Sequence, residues 1–478
     1  MNRISHLLLT SNKLLNMSIP KLFSFILASV CFFSSCKDPK KINDGSSVVG
    51  KGDSAVPVKQ WWLASNVYEV NLRQYSKAGS INEFAKSLPR LKEMGVEILW
   101  FMPVTPIGVE GRKENEKQMG SYYAVRNYTA FNEDYGSMED WKAFVKQAQG
   151  MGFKVITDWV ANHSAPDNHW VKEHPEFYAK DSTGKMYGPF DWTDVRKLDY
   201  SNRGLRDSMI AAMKFWLTET GIDGFRCDVA AEVPTDFWKE CIATLKTIRP
   251  DIFMLAETDK PELHTAGFDV SYGWQAMHAM KDLYTGKYTL AQFDSVNVQG
   301  IKDFPKNAAR LFFTTNHDEN SWNGTEYEKF GPAAKAFAVF TQTYAQSIPL
   351  IYNGQELPNK KRLKFFVKDT ISWTGQYAMA DFYRTLLSLR KTNPALAVNA
   401  GYEKLSSTRD AEVYAYLRKQ GERKVLVILN LSKVPQRFKI TNAVINGSPR
   451  NVFMGVSEKL DDQHEFSIEP WGYLVYDY

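Results

Sequence analysis

Gly221-Ile-Asp-Gly-Phe-Arg-Cys-Asp228 is a short run that begins apolar, at Ile222 and Phe225, and ends in charge, at Arg226 and Asp228. Side chains on a strand alternate faces, so Arg226 and Asp228 leave the chain on the same side. A guanidinium beside a carboxylate favours its ionised form, the form that a nucleophile needs. The plain alternative is an ion pair that merely closes a strand, since structural pairs also perturb carboxylates. What lies on either side decides between the two.

The run is bracketed by helical patterns, Leu205 to Thr220 before it and Asp236 to Ile248 after it. Outward in both directions the same alternation continues. Strands are read at Val67 to Asn71, Val96 to Val104, Phe153 to Trp159, Ile252 to Glu257, Phe268 to Ser271, Arg310 to Thr315 and Ile348 to Asn353. Helices are read at Ile81 to Met94, Met138 to Gly150, Pro332 to Gln346 and Asp381 to Lys391. The second strand is almost continuously apolar, as a strand covered on both faces should be. Eight strands alternating with helices predict an α/β fold, a (β/α)8 TIM barrel spanning 59–396. An open doubly wound sheet would want a glycine-rich phosphate turn after its first strand, and Asn71-Leu-Arg-Gln-Tyr75 is not one. A long loop insertion, about 161–200, follows strand three, and long loops on a barrel serve its active site. After Ala397 the pattern is strands only, at Val413 to Arg418, Val425 to Asn430, Phe438 to Ile440 and Tyr473 to Tyr476. This predicts a C-terminal antiparallel β domain over 397–478, read as a β-sandwich.

The net charge of +5 is spread through the chain, which argues against a nucleic-acid partner. Aromatic residues make up 14%, a composition that suits both a large core and sugar stacking. Lys21 precedes a short apolar run, Leu22 to Phe33, and Ser34-Ser35 lead into Cys36. The run is too short for a mature membrane span and fits a signal peptide over 1–36, with Met17 as an alternative start. It resembles a bacterial lipoprotein signal with Cys36 as the lipidated residue. That implies an exported protein, tethered by lipid at the outer membrane or cell surface, with periplasmic or secreted as the alternative. Residues 37–58 are polar and read as a flexible linker. Gly45 to Lys51 mimics a phosphate loop, but no strand precedes it and no Ser or Thr follows the Lys. Cys227 and Cys241 are the cysteines of the body, with neither a disulfide framework nor zinc spacing.

Function on such a barrel sits where strands end. Those ends carry Asp158, then Arg226 and Asp228, then Glu257, then His317 and Asp318. Clustered carboxylates repel one another, so packing alone would not gather them. Two carboxyls in one pocket have their proton affinities pushed apart, giving one nucleophile and one proton donor, the pair that glycoside hydrolysis uses.

Four segments in order resemble the signatures of the α-amylase family of glycoside hydrolases: Asp158-Trp-Val-Ala-Asn162-His163, Gly224-Phe-Arg226-Cys-Asp228, Ala256-Glu257 and Asn316-His317-Asp318. Gly120-Ser-Tyr-Tyr123, Lys197-Leu-Asp199 and Ile348 to Glu356 are similar to further stretches of that family. The resemblance implies a retaining hydrolase of α-glucans or maltooligosaccharides, with Asp228 as nucleophile, Glu257 as general acid/base and Asp318 as the acid that binds sugar hydroxyls and steadies the transition state. It also implies that Arg226 keeps Asp228 ionised and is braced by Asp158, that His163 and His317 hydrogen-bond the sugar, and that Tyr123 stacks on it. Asn162 and Asp199 match calcium ligands, with the carbonyl of Glu232 as a third and a plain loop clasp as the alternative; no organic cofactor is implied. Where many members carry a Lys-His pair after the nucleophile, this chain has Ala231-Glu232. Neopullulanase- or cyclomaltodextrinase-like cleavage, α-1,6-glucosidase action, transglycosylation and a non-catalytic glucan-binding role on the same fold remain the alternatives.

Overall fold

The computed structural model describes residues 60–112 and 118–478, so the signal, the Cys36 lipid site and the linker read from the sequence lie outside the described residues. Eight parallel strands close into a barrel: β1 (Val67–Val70), β2 (Ile98–Phe101), β3 (Lys154–Trp159), β4 (Gly224–Cys227), β5 (Phe253–Ala256), β6 (Val270–Tyr272), β7 (Ala309–Phe312) and β8 (Ser347–Tyr352). Each pairs with its neighbours in chain order, and β8 closes on β1 through Val67 opposite Leu350. Every residue of β1, β2, β4, β5 and β7 is buried, because helices cover the outside and side chains fill the inside. The paired strands are mostly shorter than the apolar runs read from the sequence, since only about four residues of each reach both neighbours.

The helix Met138–Gly150 follows from its sequence. Ser137 and Asp140 form a reciprocal capping box, and Trp141, Phe144, Val145 and Ala148 form its buried stripe. The helix expected over Ile81 to Met94 is instead two, Ile81–Ala85 and Leu88–Met94. Pro89 is the reason. It has no N–H to offer the carbonyl of Ala85, and its ring would press on that carbonyl, so a new helix starts with proline in its first turn, where it is tolerated. Gly95 ends the second helix at φ +94°, left-handed backbone that glycine adopts without strain. Two helices not read from the sequence, Trp274–Tyr284 and Leu290–Asp303, fill the space between β6 and β7. The insertion after β3 is held by a two-residue ribbon, His163 opposite Lys197 and Ser164 opposite Arg196.

The C-terminal strands are β9 (Gly401–Leu405), β10 (Val413–Gln420), β11 (Arg423–Asn430), β12 (Gln436–Lys439), β13 (Arg450–Asn451), β14 (Glu465–Ile468) and β15 (Tyr473–Asp477). They make a five-stranded sheet in the order β9-β10-β11-β15-β13 and a two-stranded ribbon of β12 and β14. Alternation divides β10 between two cores. Val413, Ala415 and Leu417 face the ribbon's Phe438 and Phe466, while Tyr414 and Tyr416 join the core that runs into the barrel. Arg418 is fully buried there and donates to the carbonyls of Thr343, Tyr344 and Ala397 at 2.9, 2.6 and 2.8 Å. A buried guanidinium whose donors meet carbonyls locks the sheet to the barrel by geometry as well as by apolar contact. Among the described residues no helix is long and apolar enough to cross a membrane.

Candidate active site

The carboxyl ends of the strands bring together the residues that the sequence singles out. Arg226, near the end of β4, is their hub and is fully buried. Its Nη1 donates to Asp158 Oδ1 at 2.8 Å and to Asp228 Oδ1 at 3.1 Å. Its Nη2 lies 2.9 Å from Glu257 Oε2, an ion pair off the line of a good hydrogen bond. Asp158 and Arg226 are directly opposed in the β3–β4 register, which is why the first contact forms. Glu257 follows the last residue of β5, and its Oε2 also accepts the Val229 N–H at 2.8 Å. One planar cation thus touches three acids from three consecutive strands.

A second cation faces it. The His317 ring is enclosed, with Nδ1 on Glu69 Oε1 at 2.5 Å, and Nε2 2.7 Å from the Tyr123 hydroxyl and 3.4 Å from Asp318 Oδ2. Burial alone would strip its proton, but the carboxylates of Asp318 and Glu69 outweigh that and raise its pKa to about 9. With both ring nitrogens protonated, Nδ1 donates to Glu69 and Nε2 to the Tyr123 oxygen. The Tyr123 hydroxyl in turn donates to Asp158 Oδ2 at 3.2 Å. The chain Glu69, His317, Tyr123, Asp158, Arg226 is therefore a continuous hydrogen-bonded brace that meets Asp228 and Glu257 at Arg226 and Asp318 at His317. Sequence reading missed Glu69 and Tyr272. Glu69 is the inward-facing acid of β1, flanked by Tyr68 and Val70 that face outward. Tyr272 ends β6 and takes the Arg226 Nε–H on its hydroxyl at 3.1 Å. Trp100, Tyr123 and Tyr272 surround the guanidinium, with ring centroids 5.1, 5.8 and 5.5 Å from its carbon.

Arg226 favours the ionised form of Asp228, as expected, but it is opposed. Burial and the Glu257 charge push Asp228 well above the ordinary range, more than Arg226 pulls it down. Five carboxyls meet two cations here, and the crowding favours keeping a proton among them. Asp318 is pushed upward as well, by burial and by Glu257 against His317. It is the most open of the acids, with 35% of its side chain reaching solvent, so water softens the effect. His163 is enclosed and its pKa falls to about 3 by burial, leaving a neutral imidazole whose ring meets the edge of Trp192 at 5.2 Å.

Two measurements follow from this geometry. The His317 ring should titrate near pH 9 by NMR, well above the 6.5 or so of a free imidazole, and Glu69→Gln should lower that value. The sign for stability is the one for a raised base: the contribution is complete below about pH 6.5 and is lost as pH rises through 9, and it amounts to on the order of 3 kcal/mol. A ring that titrates at its free value would break the brace described here.

Asn162 and Asp199 flank the insertion, where the Leu198 N–H donates to the Asn162 carbonyl at 3.1 Å. The Asn162 amide nitrogen lies 3.4 Å from His163 Nδ1, and Asp199 Oδ1 accepts the Ser201 N–H at 3.0 Å. As oxygen donors they suit calcium in kind but fall short in number, for calcium takes about six to eight. Among the described residues no group of three His, Cys, Asp or Glu gathers to hold a metal.

Comparison with known proteins agrees with the fold and the motifs. The family model described as "Alpha amylase, catalytic domain" matches residues 64–194 and 176–373. The curated relative "Alpha-amylase MalA" of Haloarcula japonica is 26% identical over 412 residues, covering 82% of this chain but only 59% of the relative's own length. "Alpha-amylase 3" of Dictyoglomus thermophilum is 24% identical, covering 80% of this chain and 88% of its own. Among solved structures, the noncanonic maltogenic α-amylase AmyB of Thermotoga neapolitana superposes with a TM-score of 0.79 at 29% identity, covering 87% of this chain and 99% of that one. An α-amylase of Lactobacillus plantarum gives 0.78 at 27% identity, with coverage of 87% and 99%.

Proposed function

Because the chain belongs to the α-amylase family of glycoside hydrolases, we propose that it is a retaining enzyme that hydrolyses α-glucosidic bonds in starch-derived glucans or maltooligosaccharides. The observation that carries this reading is the single guanidinium of Arg226 touching Asp158, Asp228 and Glu257 at once. It draws the nucleophile and the acid/base to one group, which supports a retaining mechanism, where the two carboxyls lie about 5 to 5.5 Å apart.

In the first step an Asp228 oxygen attacks the anomeric carbon while the glycosidic C–O bond breaks, and Glu257 delivers its proton to the departing oxygen. A covalent glycosyl ester on Asp228 results. Water then attacks the same carbon, Glu257 takes a proton from it, and the Asp228 carboxylate leaves. Asp318 accepts hydrogen bonds from sugar hydroxyls and, with the His317 cation beside it, steadies the flattened ring. His163 donates as a neutral imidazole, and Tyr123 offers its ring face. The Val229 N–H orients the Glu257 carboxyl from below. Proton NMR of the earliest product from a soluble α-glucan should show the α-anomer, and first release of the β-anomer would overturn the mechanism.

The curated relatives also include a "Cyclomaltodextrinase" of a Bacillus species and several named maltosyltransferases. This supports keeping ring-opening and transfer as the second reading, to be separated from hydrolysis of starch by products formed on starch, pullulan, isomaltose and cyclodextrin. No turnover of any of these would leave the glucan-binding alternative.

We also propose that the chain is exported and carries lipid on Cys36, an inference supported by the sequence around that residue alone. One acyl chain holds weakly and two signals hold stably, so Cys36→Ala should move the protein from membrane to soluble fractions. Unchanged fractionation would point to ordinary secretion. A calcium ion at Asn162 and Asp199 is proposed on the kind of donor alone; a melting temperature indifferent to chelator would leave these residues as a loop clasp.

A further inference from the structure

The rim of the barrel mouth holds aromatic residues that the chemistry above does not use. Trp322 lies four residues past Asp318, on the turn Glu319–Asn323, and is 48% exposed. It packs on Phe365 at 5.5 Å and on Phe366 at 6.1 Å. Phe365 lies nearly parallel to the Tyr123 ring, at 6.3 Å and 13°. The rings Tyr123, Phe365 and Trp322 therefore form one continuous ridge that starts at the candidate site and runs outward to solvent.

A lone exposed tryptophan means little. This one stands on a loop fixed by buried polar side chains. Arg73 donates to the Phe365 carbonyl at 2.9 Å, and Gln74 donates to those of Lys364 and Val367 at 2.6 and 2.7 Å. The Asn320 side chain accepts the Leu363 N–H at 2.8 Å and donates to the Lys361 carbonyl at 3.2 Å, while Ser321 donates to the Leu363 carbonyl at 2.8 Å. Arg73, Gln74 and Asn320 are almost wholly buried. Two surface loops are thus stitched to each other and to the end of β1, with the outcome that a large apolar ring is held open to water. Pre-organisation of that kind lowers the cost of binding a flat apolar face.

The ridge also has a direction. It is built from the segments after β2, β7 and β8, whereas Glu257 follows β5, across the barrel from β1. Glu257 gives its proton to the departing oxygen, so the leaving sugars lie on its side and the ridge lies on the other.

We propose that Trp322 and Phe365 form a stacking platform for a glucose ring of the bound chain beyond the one at Tyr123, on the side retained in the covalent intermediate. A pyranose presents an apolar C–H face to such a ring, and an α-glucan is the ligand of that chemistry which is continuous with the site. The inference rests on the hydrolytic reading of the site and adds a specificity determinant to it.

The test compares Trp322→Ala and Trp322→Phe with the parent on linear maltooligosaccharides of increasing length and on an aryl α-glucoside, which has a single sugar and cannot reach the platform. In the parent, kcat/KM should climb with length. In Trp322→Ala the climb should flatten, with KM for the longer chains up by about five- to tenfold and kcat nearly unchanged. Turnover of the aryl glucoside should hold, and Trp322→Phe should recover part of the climb. Equal losses on the aryl glucoside and the long chains would mean that Trp322 only supports the loop, and an unaltered climb would mean that no sugar reaches it. Either result overturns the platform and leaves the hydrolase reading standing. If the parent cleaves neither substrate class, the hydrolase reading fails and takes the platform with it.

Discussion

Asp228→Asn is expected to lower kcat on a soluble α-glucan by about 10⁴-fold or more while the protein stays folded. The amide fills the same volume and can still accept from Arg226, but it cannot form the ester that divides the reaction into two easier steps. A loss that large marks a group whose removal changes the route. The stability change should have the opposite sign. Asp228 is enclosed, and burial and Glu257 raise its pKa. A carboxyl with a raised folded pKa contributes most to stability below its unfolded value, near 3.9, and loses that contribution as pH rises through the folded one. Ionised Asp228 therefore costs the native state stability at neutral pH, and its amide does not. Melting of Asp228→Asn at pH 7 should come no lower than the parent's, with the difference shrinking as pH falls. Near-native turnover would refute the assignment, and a melting temperature several degrees below the parent's would refute the account of crowding.

The barrel was legible because its parallel strands read as apolar runs bounded by glycine and by charge, as at Gly221 to Asp228. Alternation of such runs with helical patterns leaves few topologies. The acids were legible because each ends a strand, so strand order alone sends them to one mouth. Glu69 was not, although it does the same from β1, for the run Val67 to Val70 shows no excess of charge and no partner nearby in sequence. Its partner, His317, is 248 residues away and meets it only when β1 closes against β8. Tyr272 was hidden for the same reason. The helices Trp274–Tyr284 and Leu290–Asp303 do carry apolar residues at helical spacing, such as Ala276, Met277, Met280 and Leu283, but only weakly, amid polar neighbours. Pro89 was a readable signal for the break between Ala85 and Leu88, and the apolar periodicity on either side outweighs it in a linear reading. That two carboxyls in one pocket have their proton affinities pushed apart was legible, but not that Asp228 is the one raised, since that depends on how deeply it is buried and how closely Glu257 and Arg226 approach it.

Glu257→Gln separates the acid from the nucleophile. Its amide oxygen can go on accepting the Val229 N–H that now meets Oε2 at 2.8 Å, so the side chain should keep its place. It can neither deliver a proton to a sugar leaving group nor take one from water. Turnover of a natural glucan should fall by about 10²- to 10⁴-fold, the usual worth of a positioned proton donor. An α-glucoside of an acidic phenol needs no proton to lose its leaving group, so its first step should survive and release a burst of phenol. The intermediate would then stall, because water lacks its base. Azide requires none, and adding it should restore turnover and yield an α-glycosyl azide, the α configuration reporting a second inversion at the carbon held by Asp228. Equal loss on both substrates without azide rescue would make Glu257 a structural partner of Arg226. A β-azide would place the attack on the free substrate, and Asp228 would then have no part in a covalent step.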